Sequence, residues 1–126
     1  MIFGVGMDIV AMARLRRLLA AYPQRLPQKL LQETERRDMR RAAKPCEFIA
    51  GRIAAKEALA KALGTGMRLP MSWQNAAVSS GGGKPVFVFA DALRRYLAER
   101  NIACHLSISH DDGYAAAMVV AEVIHS

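Results

Sequence analysis

The stretch from Pro45 to Gly64 constrains the fold more than any other part of this chain. Apolar residues lie nearly all round its helical wheel, and many are small: Ala50, Gly51, Ala54, Ala55, Ala58, Ala60 and Ala62. A helix without a wide polar face belongs in the centre of a structure, and small side chains let its neighbours approach closely. The ends are marked as well. Pro45 suits a first helical turn, Glu47 favours the positive N-terminal end, and Gly64 can close the C-terminus in a left-handed conformation.

The flanking segments supply what such a helix needs around it. Ile2 to Val10 is apolar with two glycines and reads as a buried strand. Ala11 to Ala21 sets Met12, Leu15, Leu18 and Leu19 against Arg14, Arg16 and Arg17, an amphipathic helix closed by Tyr22-Pro23. Leu30 to Ala42 reads as a further helix with a heavily charged face. Met71 to Ser79 and Pro85 to Phe89 read as strands joined through Gly81-Gly82-Gly83. Asp91 can cap a helix from Ala92 to Arg100. Cys104 to Ser109 and Tyr114 to Glu122 form a closing hairpin around Asp111-Asp112-Gly113. The expected class is α+β, a mainly antiparallel sheet packed on a long central helix. With 126 residues and no internal linker or repeat, residues 1–126 read as one domain.

Composition narrows the function classes. No apolar run is long enough to span a bilayer, and Met1-Ile2-Phe3-Gly4 lacks the basic leader of a signal peptide. A cytoplasmic location without a membrane partner is therefore expected. Cys46 and Cys104 have no metal or redox spacing and should be free thiols. The net charge is +7, and it is uneven: residues 1–44 hold ten of the 18 Lys and Arg but only four of the 11 Asp and Glu. A local basic surface suits an acidic partner. Nucleic acid is disfavoured, because aromatics are only 6% of the chain and none is interleaved among the arginines for base stacking.

The chemistry-bearing residues fall in three segments. Asp8 interrupts an apolar strand, where an unpaired carboxylate is costly. It is either a helix N-cap or a metal ligand at a strand end. Glu57 and Lys61 project from one face of the long helix, either as a solvated ion pair or into a site. Arg52 and Lys56 lie roughly 140° away on the wheel, so one solvated stripe cannot hold all four. Gly64-Thr65-Gly66 lacks the Walker A order and is either a helix stop or a turn that lets phosphate approach the backbone. His110 ends a strand beside Asp111, with Ser107 and Ser109 on the opposite parity, in a structural or a binding role. A Ser-His-Asp triad would lack a nucleophile elbow and leave Asp8 and Glu57 unused. Two carboxylates plus cations is the set a Mg²⁺-bound diphosphate substrate needs.

Taken in order, these segments resemble the holo-[acyl-carrier-protein] synthases, the short type of 4′-phosphopantetheinyl transferase. The likeness rests on Gly4-Val5-Gly6-Met7-Asp8-Ile9-Val10, on the helix from Ala50 to Gly66 with Arg52, Lys56, Glu57 and Lys61, on Gly83-Lys84-Pro85, and on Ser107-Ile108-Ser109-His110 followed by Tyr114-Ala115-Ala116-Ala117. It extends over essentially the whole chain. The resemblance implies transfer of the 4′-phosphopantetheine arm of coenzyme A to a serine of apo-acyl carrier protein, with adenosine 3′,5′-bisphosphate leaving, in support of fatty acid biosynthesis. It implies Asp8 and Glu57 as Mg²⁺ ligands and Lys61 as the catalytic cation on the diphosphate. It implies Arg52 and His110 on coenzyme A near the 3′-phosphate, with Thr65, Lys84 and Ser109 as further substrate contacts.

It also implies a homotrimer with active sites at subunit interfaces, so that Arg52 would serve a site shared with a neighbour. The acidic partner becomes the carrier protein, docking on Arg14 and Arg25 by the resemblance and on Arg17 by charge. Two departures stand out: Ala11, where relatives often carry an acidic residue, and the dense cluster Arg36, Arg37, Arg40, Arg41 and Lys44, which reads as a solvated face. Rival readings are a nucleic-acid module and a non-catalytic trimeric scaffold for acidic proteins.

Overall fold

The computed structural model describes residues 1–81 and 83–125. Strand β1 (Ile2–Ala11) leads directly into helix α1 (Met12–Ala21), followed by α2 (Arg25–Leu30), α3 (Glu33–Arg41) and the long α4 (Pro45–Leu63). A small hairpin of β2 (Ala76–Ser79) and β3 (Val86–Phe89) precedes α5 (Asp91–Glu99), β4 (Ile102–Asp111) and β5 (Tyr114–Val123). The main sheet has the order β1-β5-β4, antiparallel throughout. The α+β class and the long helix against an antiparallel sheet are as the sequence indicates.

Helix α4 is the centre of the molecule. Twelve of its 19 residues are buried, which leaves no continuous solvent face. Its termini follow local chemistry: Pro45 opens the first turn, Glu47 sits there, and Gly64 closes the helix at φ +74°. The inner face of the sheet lies on α4 through Leu106, Ala117, Val119 and Ala121, with Leu59, Leu63, Met71 and Leu93 completing the larger core. A second cluster around Met12, Leu15, Leu31, Ile49 and Ala115 seats α1 on the N-terminal half of α4.

Four local expectations change. β1 is not buried on both faces: Val5, Met7 and Ile9 are 52%, 57% and 63% exposed on the side away from α4. The helix expected from Leu30 to Ala42 starts later and spans Glu33–Arg41, because Leu30 ends α2, Leu31 is extended and Gln32 caps α3 with a capping box closed by Glu35. The strand expected from Met71 begins only at Ala76, after Met71 has packed fully into the core. Asp91 is not the cap of α5 but its first residue, paired with Arg94. The predicted turn through Gly81-Gly82-Gly83 includes Gly82, which lies outside the described residues.

Candidate functional site

Two glycines bring the first acidic residue to the central helix. A methyl group at Gly4 would overlap the carbonyl oxygen of Ala62, and one at Gly6 that of Ala58. β1 thus runs against the backbone of α4 with no side chain between them. Two strand residues advance about 6.7 Å and four helix residues about 6 Å, so the match is kept over successive steps. Asp8, next on the same parity, emerges half-buried beside the Glu57–Lys61 face. The Lys61 ammonium donates to Asp8 Oδ1 at 3.3 Å and to the carbonyl of Met7 at 3.0 Å.

Glu57 completes this group. Its carboxyl is pushed above the usual range, first by burial and then by the Asp8 charge, while Lys61 pulls it back. Both bland readings therefore fail. Asp8 is not an N-cap, since α1 begins at Met12 after Ala11, with no side-chain cap bond. Lys61 pairs with Asp8 across elements rather than with Glu57 along the helix.

A second group lies on the N-terminal half of α4. The Arg52 side chain is buried, its guanidinium 4.0 Å over the Phe48 ring, and Nη2 donates to Ser80 Oγ at 3.2 Å and to the Val78 carbonyl at 3.5 Å. Its Nε–H is buried and has no acceptor among the described residues. His110 lies on the inner face, across the surface left open by Gly51, with Nε2 3.0 Å from the Glu47 carbonyl. Strand alternation puts Ser107, Ser109 and Asp111 on the outer face, so no triad with His110 forms. Lys56, next to Glu57 in sequence, turns inward to a buried ion pair with Glu35 at 2.6 Å. Sequence reasoning passed over that carboxylate. Its signal was the Gln32-to-Glu35 spacing of a capping box.

The remaining site residues are dispersed within one chain. Thr65 follows the end of α4, with its hydroxyl on the Gly66 carbonyl at 2.8 Å. Lys84 is exposed in the turn before β3. Ser109 shares a groove on the outer sheet face with Ile9 and Tyr114. Arg14 and Arg17 are exposed on α1, and Arg25 lies over Tyr22 in a groove at the start of α2, bordered by Lys29.

A model of the 4′-phosphopantetheinyl transferase superfamily matches residues 4–119, from the first glycine of β1 to the middle of β5. The chain belongs to this superfamily. It is 41% identical over 123 residues to the holo-[acyl-carrier-protein] synthase of Azoarcus sp. (strain BH72), covering 97% of this chain and 98% of that protein. Identity to the synthase of Dechloromonas aromatica (strain RCB) is 44% over 123 residues, with the same shares covered. The crystal structure of the Neisseria meningitidis synthase superposes with a TM-score of 0.92 at 40% identity, covering 97% and 99% of the two chains. A Bacillus anthracis synthase in complex with CoA (3′,5′-ADP) superposes at 0.82 with 34% identity, covering 98% and 99%. Within the transferase fold, the Asp8–Glu57–Lys61 group lies where β1 crosses the C-terminal half of α4.

Proposed function

We infer that this chain is a holo-[acyl-carrier-protein] synthase that moves the 4′-phosphopantetheine arm of coenzyme A onto a serine of apo-acyl carrier protein, serving fatty acid biosynthesis. The observation that carries its chemistry is the convergence of Asp8, Glu57 and Lys61. The serine oxygen forms a new bond to the phosphorus nearest the pantetheine. The phosphoanhydride bond to the nucleotide breaks, and adenosine 3′,5′-bisphosphate leaves. Such a displacement depends on alignment and on neutralising charge on the phosphoryl oxygens.

The donor set fits Mg²⁺. Among the described residues no group of three or more His, Cys, Asp and Glu could hold a metal ion. Two neighbouring carboxylates suit an ion that commonly takes one or two protein oxygens and completes its shell with water and substrate phosphates. Bound there, Mg²⁺ would polarise the phosphoryl group. Lys61 offsets charge on the diphosphate from the same side. The carboxylates offer an acceptor for the serine proton, directly or through water, and Glu57 has the raised proton affinity that suits a base. Arg52 and His110 hold coenzyme A at its 3′-phosphate, Arg52 through the donor that the described residues leave unmatched.

The apolar outer face of β1 and β5 supports a homotrimer closed through the sheets. Val5, Met7 and Ile9 on the edge strand β1, with Tyr114 and Met118 on its neighbour β5, form an exposed apolar patch, the kind of surface an interface covers. The Ser109 groove lies on that face, so closure would bring Ser109 to a subunit boundary. Arg14, Arg17 and Arg25 form the docking surface for the acidic carrier. No described helix is long and apolar enough to cross a membrane, in keeping with action in the cytoplasm. Mass spectrometry tests the reaction. Apo-carrier incubated with the chain, coenzyme A and Mg²⁺ gains ~340 Da, the mass of one transferred arm. An unchanged carrier mass sinks this reading.

A further inference from the structure

The interior into which Arg52 and Lys56 turn is organised by one carboxylate. Glu35, 1% exposed, accepts from Lys56 Nζ at 2.6 Å and from the Gln32 N–H at 2.9 Å on Oε1, and from the Val78 N–H at 2.9 Å on Oε2. Lys56, 0% exposed, donates also to the carbonyls of Leu30 and Trp73, both at 2.8 Å, so its three hydrogens are all used. Val78 links this pair to the second group of the site. Its N–H is held by Glu35, and its carbonyl is the 3.5 Å acceptor for Arg52 Nη2.

A buried ion pair is a poor stabiliser, because desolvation offsets most of the attraction; a well-packed apolar replacement is often as stable. The arrangement therefore calls for a reason beyond stability. Arg52 is 8% exposed, and burial disfavours its charge; Glu35, then Asp38, are the carboxylates whose fields oppose that effect. The fields of Glu35 reach two buried cations that repel each other, Lys56, which it touches, and Arg52. It pairs with Lys56 and leaves Arg52 a positive charge whose Nε–H is unmatched among the described residues.

We propose that Glu35 is a positioning residue for coenzyme A binding: through Lys56 and the backbone of Val78 it fixes β2 against α4 and holds the Arg52 guanidinium ready for a phosphate. The proposal rests on the reading of Arg52 as a coenzyme A contact. Steady-state kinetics of the full chain with coenzyme A and with 3′-dephospho-coenzyme A test it, using Glu35→Gln, the double variant Glu35→Leu/Lys56→Met, and Arg52→Ala as reference.

The double variant keeps the net charge around Arg52 but removes the tether. It leaves the Val78 and Gln32 N–H groups without their acceptor, so it should melt below the parent. Its KM for coenzyme A should rise about ten-fold, the loss of one charge-assisted contact. kcat, the KM for carrier and the KM for the dephospho substrate should hardly change. Glu35→Gln should move the same parameter in the same direction. A purely structural pair predicts the lowered melting point with an unchanged KM ratio between the two nucleotides. If Arg52→Ala raises the KM for coenzyme A but neither Glu35 variant does, the positioning role is overturned. If Arg52→Ala itself leaves that KM unchanged, the Arg52 reading falls and this proposal with it, whereas transferase activity is judged separately by the carrier mass. Should Glu35→Gln, which leaves the Lys56 ammonium buried and unpaired, fail to fold, the double variant decides by the same ratio.

Discussion

Gly6 of β1 lies so close to Ala58 of α4 that a single added methyl group would collide with the helix backbone. The obstruction is a carbonyl oxygen rather than a flexible side chain, so strand or helix must move. Gly6→Ala is expected to cost about 3 kcal/mol, the upper end for overpacking. It should also lower kcat about 100-fold, because Asp8 shifts relative to Glu57 and a misplacement of about 1 Å at reacting groups costs that much. Gly64→Ala is the contrast. Nothing lies within 4 Å of that position, and only its left-handed φ of +74° resists a side chain. It should cost about 1 kcal/mol and leave kcat intact. Thermal melts with steady-state rates check both.

The acidic pair sets a second expectation. Glu57→Gln and Lys61→Met should each reduce kcat about 100-fold or more, the scale of removing one group that stabilises transition-state charge. For Glu57→Gln the Mg²⁺ concentration giving half-maximal rate should also rise. Stability should move the other way. The Glu57 carboxyl is raised in the fold by burial and by Asp8, so its favourable contribution exists below the ordinary Glu range and is lost as pH rises through the raised value. In metal-free buffer at neutral pH, Glu57→Gln should therefore melt above the parent, and the gap should close on acidification. An equal or lower melting temperature at neutral pH would contradict that electrostatic picture.

Subunit closure through the outer sheet face predicts that Ile9→Lys disrupts assembly. Sedimentation should show a trimer for the parent chain and a smaller species for the variant, with activity lost although Asp8 and Glu57 are untouched. Within a trimer whose sites are shared, mixing Arg52→Ala subunits with Asp8→Ala subunits should restore part of the activity. A monomeric parent would remove the assembly from the account.

Carrier docking on α1 predicts a selective effect. Arg14→Glu should raise the KM for acyl carrier protein about ten-fold while changing the KM for coenzyme A little, and the difference should shrink at high salt. Equal changes for both substrates would place the docking surface elsewhere.

Burial raises the Cys104 thiol from 9.0 to about 11. Its contribution to stability is fully present below pH 9.0 and is lost as pH rises through about 11, because the unfolded chain releases the proton first. Cys104→Ala should flatten the alkaline fall in melting temperature over that window. Alkylation of Cys104 near neutral pH should be about 100-fold slower than that of an unhindered thiol, following the smaller thiolate fraction.

Several features were legible from spacing alone. The boundaries of α4 follow from Pro45 and Gly64, and its central place follows from a wheel with no polar face. The antiparallel hairpin of β4 and β5 follows from alternation around Asp111-Asp112-Gly113. Arg52, Lys56, Glu57 and Lys61 were readable as four charges that one solvated stripe could not hold, whereas the joining of Asp8 to Glu57 and Lys61 was implied by the family resemblance. The break between α2 and α3 was harder to read, because Leu30 and Leu31 continue an apolar pattern across it while only Gln32 and Glu35 mark the new start.

The sequence by itself determined which helix had to be central and that Arg52, Lys56, Glu57 and Lys61 could not share one solvated stripe, because these depend on periodicity and on the cost of burying a charge. Tertiary structure alone decided their partners. Lys56 and Glu57 are neighbours in sequence, yet one enters a sealed ion pair with Glu35 and the other meets Asp8 from the far end of the chain. A helix turns about 100° per residue, so adjacent charges leave it in different directions. What each one meets depends on which distant strand or helix the glycines and alanines allow to approach.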